Sequence, residues 1–137
     1  MTRVADYPAG FEAILKGPQS GGWLYTGGLE NYPDLLDRWS QIRPLWGNPG
    51  SVLRRVRDPL LLANTLDQAC FPVPALALSA ADAPTDGTWL IKPFASAGGQ
   101  HIARLTGTTA LPTTPHYFQQ FIQGETISAV YLANGYE

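Results

Sequence analysis

The chain has 137 residues, 45% apolar and 15% charged, which suits one globular domain or parts of two and excludes a disordered segment. Nine basic against eleven acidic residues leave a net charge of −2, with no electrostatic footprint for nucleic acid. The single cysteine, Cys70, excludes an internal disulfide framework, and no apolar run approaches the roughly 20 residues that span a bilayer.

Fourteen glycines and twelve prolines cut the chain into short elements. The N-terminal segment has no signal-peptide layout, because Asp6 and two chain breakers interrupt it and no apolar stretch follows. A reduced, cytoplasmic setting is the default expectation. The first twenty residues are poorly patterned, and Gly17 to Gly22 reads as a loop. Trp23-Leu24-Tyr25-Thr26 reads as a buried strand ending in the Gly27-Gly28 turn. Pro33 suits the first turn of a helix whose apolar face is Leu35, Leu36, Trp39 and Ile42. Pro44-Leu45-Trp46 reads as a strand, and Gly47-Asn48-Pro49-Gly50 as a turn. Ser51 is placed to cap a helix running to Arg57, with Arg54, Arg55 and Arg57 on a solvated flank. Asp58 as N-cap and Pro59 as first residue open a further helix, with Leu62, Leu66 and Ala69 on its buried face. Cys70, at its end, is expected to be buried and inert. Beyond Pro72 and Pro74 the texture changes. Residues 75–79, 88–94, 100–106, 116–123 and 125–134 read as strands joined by short loops, which favours antiparallel pairing.

Only two lysines are present, Lys16 and Lys92. Lys16 lies in an unpatterned loop. Lys92 lies in an apolar strand and shares a face with Leu90 and Phe94 on the period-2 pattern. A few residues later, Ser96-Ala97-Gly98-Gly99-Gln100 forms a loop of small residues. Such a loop lets backbone N–H groups approach an anion, so lysine and loop together can hold a polyphosphate. The same residues also read as a β-hairpin whose turn needs glycine, with a lysine that snorkels. A second stretch, Tyr117-Phe118-Gln119-Gln120-Phe121-Ile122-Gln123-Gly124-Glu125, alternates aromatic and polar residues before a glycine. It can flank a planar base, or simply form two strands around a turn. His101 and His116 lack a third ligand at metal spacing.

Taken in order, Ile91-Lys92-Pro93, Ser96-Ala97-Gly98-Gly99 and Gln119-Gln120-Phe121-Ile122-Gln123-Gly124 resemble the nucleotide-binding half of an ATP-grasp enzyme. Upstream, Tyr25 to Asn31, Leu45 to Pro49, Val56 to Pro59 and Phe71 to Pro74 resemble the domain that precedes ATP-grasp and its link. The likeness covers about residues 22–135 and is nearest to the predicted ATP-dependent carboligases. It implies an α+β architecture: the end of an α/β pre-ATP-grasp domain (1–50), a helical linker (51–74) and a truncated antiparallel-sheet N-terminal ATP-grasp subdomain (75–137).

The resemblance implies a carboxylate–amine (or thiol) ligase acting through an acyl phosphate. ATP and Mg2+ are the implied cofactors, and small carboxylates and amines the substrates. A homo-oligomer is compatible with it; nucleic acid and membrane partners are not implied. Lys92 would contact the phosphates, and the loop of Ser96, Ala97, Gly98 and Gly99 would fold over them. Gln119, Gln120, Phe121 and Ile122 would form the adenine hinge, and Ile91 would pack beneath the base. Glu125 would serve the ribose, although the position where many relatives carry the acid is Thr126. Many relatives also carry Asp-Lys where this chain has Asp58-Pro59, so Arg57 or Arg55 would have to stand in. The magnesium ligands are expected beyond Glu137, which makes the chain alone inactive as a ligase. The competing expectation is a non-enzymatic binding module whose sheet edges engage a protein.

Overall fold

The computed structural model describes residues 4, 6–125, 127 and 128. They form helices α1 (Phe11–Leu15), α2 (Pro33–Ser40), α3 (Gly50–Val56) and α4 (Pro59–Gln68), and strands β1 (Leu76–Ala77), β2 (Asp86–Pro93), β3 (Ala103–Thr106) and β4 (His116–Gln120). The strands make one antiparallel sheet in the order β1-β4-β2-β3. This is a small mixed fold of helices and an antiparallel sheet.

Helix α2 organises the first half. Pro33 starts it, Asp34 lies in its first turn and Arg38 in its last, all suited to the helix dipole. Leu36 and Trp39, one turn apart, are completely buried. Leu15, Leu29 and Leu53 close around them, with Phe11, Trp23, Tyr25 and Leu35 packed at the edge. Helix α1 was not legible in the unpatterned N-terminal stretch. It is held by Glu12, whose carboxylate accepts from Lys16 (2.7 Å), Arg38 (2.5 Å) and the Trp39 indole (3.3 Å). The expected strand at residues 23–26 shrinks to one parallel bridge between Trp23 and Leu45, and Leu24 is exposed. The Trp23 indole N–H still reaches the Arg43 carbonyl at 3.0 Å.

Helix α3 begins at Gly50 rather than after Ser51, and no side chain caps it. Its start is pinned from α2 instead: the Gly50 N–H donates to Asp37 at 2.9 Å, and Arg54 bridges Asp34 and Asp37. Asp58 caps α4 as the sequence indicates, accepting from Leu60 and Leu61 N–H at 2.9 and 3.0 Å. Its expected buried face is not buried. Leu62 and Ala69 are exposed and Leu66 half-buried, because that face borders a cavity rather than a packed layer. Cys70 is exposed, not buried. It occupies the left-handed position (φ 61°) after the helix. Cys70 N–H returns to Asp67 O and Phe71 N–H to Leu66 O, both at 2.9 Å. That is a Schellman closure with cysteine where glycine is usual.

In the sheet, β2 pairs with β4 and β3, and the Asp86–Trp89 stretch carries a register shift. Ile91, Phe118, Leu105, Ala77 and Ala83 form a second buried cluster, with Ala80 and Trp89 against it. The expected strand at 100–106 is shortened to β3, because His101 takes φ 61° and Gln100 belongs to a turn. The expected strand at 125–134 falls mostly outside the described residues, and Glu125 itself has no regular structure.

A methyl group at Gly50 would meet the Pro33 carbonyl oxygen and the Asp37 carboxylate. Gly50→Ala is expected to lower the unfolding free energy by about 1–3 kcal/mol, read from urea denaturation. The Glu12 carboxyl lies below its usual range, first through the Lys16 hydrogen bond, then through the Trp39 indole and the charges of Arg38 and Lys16. A depressed carboxyl contributes stability above its unfolded pKa and loses it as pH falls through the folded one. Glu12→Gln should therefore flatten the acid limb of a melting-temperature profile below about pH 4.5, with little change in slope at neutral pH.

Candidate functional site

Strand β2 emerges between α4 and the loop that follows it. Its pleat sends Ile91 into the second cluster, 1% exposed, and Lys92 to the opposite face. Lys92 pairs with Tyr117 and Leu90 with Gln119, so these four share one face of the sheet. Lys92, Tyr117 and Gln119 of that face line a cavity of about 480 Å³. Leu62 and Leu66 of α4 give it an apolar wall, and Ser96 to Gly99, Arg57 and Glu30 also line it.

Lys92 is half-buried. Its ammonium donates to the Gln119 side-chain oxygen at 2.7 Å and stands 5.8 Å from the Tyr117 ring centroid. Both partners are neutral. None of the ion pairs among the described residues involves Lys92. The cation is thus oriented and partly desolvated without being neutralised, which favours an anionic visitor.

The loop offers the complementary groups. Gly98 and Gly99 have φ of 62° and 72°, and the Gln100 N–H closes back on Ala97 O at 3.3 Å. Two successive positive φ values are what a type I′ turn requires and are open mainly to glycine. No acceptor among the described residues takes the N–H of Ala97, Gly98 or Gly99. Lysine charge and unpaired N–H groups therefore border the same space.

Six of the anticipated site residues line this cavity: Lys92, Ser96, Ala97, Gly98, Gly99 and Gln119. The others do not. Gln120 continues the sheet, its N–H bonded to Ala75 O at 2.9 Å. Phe121 gives its N–H to Thr88 O at 2.8 Å and lies under the Arg104 guanidinium, 3.8 Å from the ring centroid. Ile122 and Glu125 are exposed beyond the sheet, and Thr126 lies outside the described residues. Ile91, expected beneath a base, belongs to the core on the other face.

Arg57, one of the two stand-ins for the absent lysine, lines the cavity, as does Glu30, which the sequence did not single out. Arg57 does not sit on a solvated flank. Its Nη2 donates to Asn31 Oδ1 (2.6 Å), Ser96 O (2.8 Å) and Phe94 O (3.4 Å). Glu30 stands 3.9 Å from the same guanidinium. The sequence signal for Arg57 is its place directly before Asp58-Pro59, where many relatives carry Asp-Lys; Glu30 has no such signal. Arg55, the other stand-in considered, is exposed and does not line the cavity. Burial, and next the Glu30 charge, push the Tyr25 phenol up. A second, largely apolar cavity of about 580 Å³ lies beside the loop, against Phe94, His101 and Pro115.

A family model described as an ATP-grasp domain matches residues 56–137. No curated protein and no solved structure matches the chain.

The glycine pair gives a direct check on the loop. Gly98→Ala and Gly99→Ala each force an L side chain into a left-handed conformation, a cost of about 1–2 kcal/mol. Each should lower stability by that order in urea denaturation. Gly107→Ala, in open space, should stay within about 0.5 kcal/mol of wild type.

Proposed function

The chain belongs to the ATP-grasp domain family, and on that premise we propose that it supplies the ATP-binding hinge and glycine-rich loop of a carboxylate–amine (or thiol) ligase. Membership carries ATP-dependent, ligase-type function at the coarse level; the roles of individual residues below are our reading. Residues 1–50 are read as the end of the preceding α/β domain, 51–74 as the linker and 75–137 as the ATP-grasp subdomain.

The observation that carries the proposal is Lys92, held by the neutral Gln119 amide (2.7 Å) and lining a cavity together with Gly98 and Gly99. A triphosphate needs cations and N–H donors on more than one side, and these residues fit that need. Bound ATP would supply a phosphoryl group to a substrate carboxylate, giving an acyl phosphate and ADP, from which an amine displaces phosphate. Lys92 would hold phosphate oxygens, and the Ala97, Gly98 and Gly99 N–H groups would close over them. Because these donors are placed before charge develops, they stabilise the transferring group with little reorganisation.

Gln119, Gln120, Phe121 and Ile122 are proposed as the adenine hinge. The Ile122 N–H has no acceptor among the described residues, which leaves it free to meet a base edge. Glu125 is proposed as the ribose ligand. Among the described residues, no group of three or more His, Cys, Asp or Glu side chains is placed to hold a metal ion. The roles above belong to the chain's own cation and N–H groups.

Thermal unfolding with the non-hydrolysable analogue AMP-PNP tests the reading. At 100 times its Kd a ligand adds about 2.7 kcal/mol of stability, so the wild-type Tm should rise by several degrees and Lys92→Ala should lose the rise. An equal rise in Lys92→Ala, or none in the wild type, favours a non-enzymatic binding module.

A further inference from the structure

We propose that Arg57 is a positioning residue of this cavity: its guanidinium clamps the glycine loop from the helical side through the loop's own carbonyls. The purpose of the clamp rests on the nucleotide reading above; its geometry does not.

Arg57 is anchored at both ends of its backbone. It closes α3, with its N–H on Leu53 O at 3.0 Å. Its neighbour Asp58 caps α4 through Leu60 and Leu61. The Cα is thus pinned between two helices, and the side chain alone spans to the loop. It is 29% exposed there. One terminal nitrogen serves Asn31 Oδ1 at 2.6 Å and Ser96 O at 2.8 Å, with Phe94 O at 3.4 Å. Asn31, Ser96 and Phe94 lie 26, 39 and 37 residues away in sequence.

A planar guanidinium with five donors can serve several acceptors at once, which a lysine ammonium on a flexible stem does less well. Charge-assisted bonds to carbonyls are also stronger than neutral ones. The peptide plane converts this grip into direction. In a trans peptide the C=O and the following N–H point opposite ways. Holding Ser96 O toward Arg57 therefore fixes the Ala97 N–H away from it. From there the chain enters the Ala97–Gln100 turn, with Gly98 and Gly99 at φ 62° and 72°. The loop has little other support. Its other backbone bonds among the described residues are Phe94 N–H to Pro115 O at 3.2 Å and Gln100 N–H to Ala97 O at 3.3 Å. The far side of the clamp, Asn31, follows the buried Leu29. The loop's position is thereby tied to the first hydrophobic cluster.

Backbone 15N order parameters of the 137-residue protein test the clamp. Gly98 and Gly99 report on the loop, and Leu36 and Trp39 on the fold. In Arg57→Ala and Arg57→Lys the glycine values should fall from about 0.85 toward 0.6 or lower, while Leu36 and Trp39 keep theirs. AMP-PNP affinity should fall roughly 10- to 100-fold in both. Unchanged loop order in Arg57→Ala overturns the proposal, as does full recovery of loop order in Arg57→Lys. Lost loop order with unchanged nucleotide affinity overturns the positioning role. If the alanine chain loses order at Leu36 and Trp39 too, the lysine variant decides: loop order lost supports the clamp, loop order kept overturns it. A wild type that fails to bind AMP-PNP overturns the ligase reading, and loop order alone then decides the clamp.

Discussion

The pleat of one strand separates core from site. In β2, Ile91 and Lys92 are adjacent, and a strand turns adjacent side chains to opposite faces. Ile91 is sealed against Phe118 and Leu105, while Lys92 lines the cavity. Burial of Ile91 therefore sets the direction of Lys92. A slip of one residue in register would exchange the two, placing an ammonium in the core. Pairing on both sides of β2, with β4 and with β3, holds the register against such a slip.

Around that strand the cavity is bounded by elements from both halves of the chain. Helix α4 presents Leu62 and Leu66, the loop after β2 presents main-chain N–H groups, and Arg57 ties that loop to Asn31. The two hydrophobic clusters, one around Trp39 and one around Phe118, share none of their buried residues. Polar contacts through Arg57 cross between them. Hydrogen bonds are directional where apolar packing is not, so this link sets geometry more than it adds stability.

Pro33 and Asp58 announced their helices because a cap or a first-turn proline acts within a few residues. Strand alternation placed Lys92 on a face with Leu90, but only the family resemblance grouped Lys92 and the Gly98-Gly99 turn with Gln119, 27 residues away on another strand. The misses have physical causes. Helix α1 is five residues long and held by Glu12 contacts with Arg38 and Trp39, 26 and 27 residues away. The period of α4 named its apolar face, but periodicity does not say whether a face meets packed side chains or an open cavity. Cys70 is exposed because its place is set by the left-handed turn at the helix end, not by a thiol's preference for burial. Nothing local separates Arg57 from Arg55 as the stand-in for the absent lysine; contacts 26 to 39 residues away do.

Among the described residues the sheet ends on two modest edges. Strand β1 has two residues and β3 has four. On β3, Arg104 folds over the Phe121 ring and gives a guanidinium N–H to Gly87 O at 2.7 Å. Long, flat, apolar edges are templates on which other chains add strands. Brevity on one side and a cation on the other deny a neighbouring molecule such a template. Among the described residues, the edges thus offer little on which another chain could add a strand.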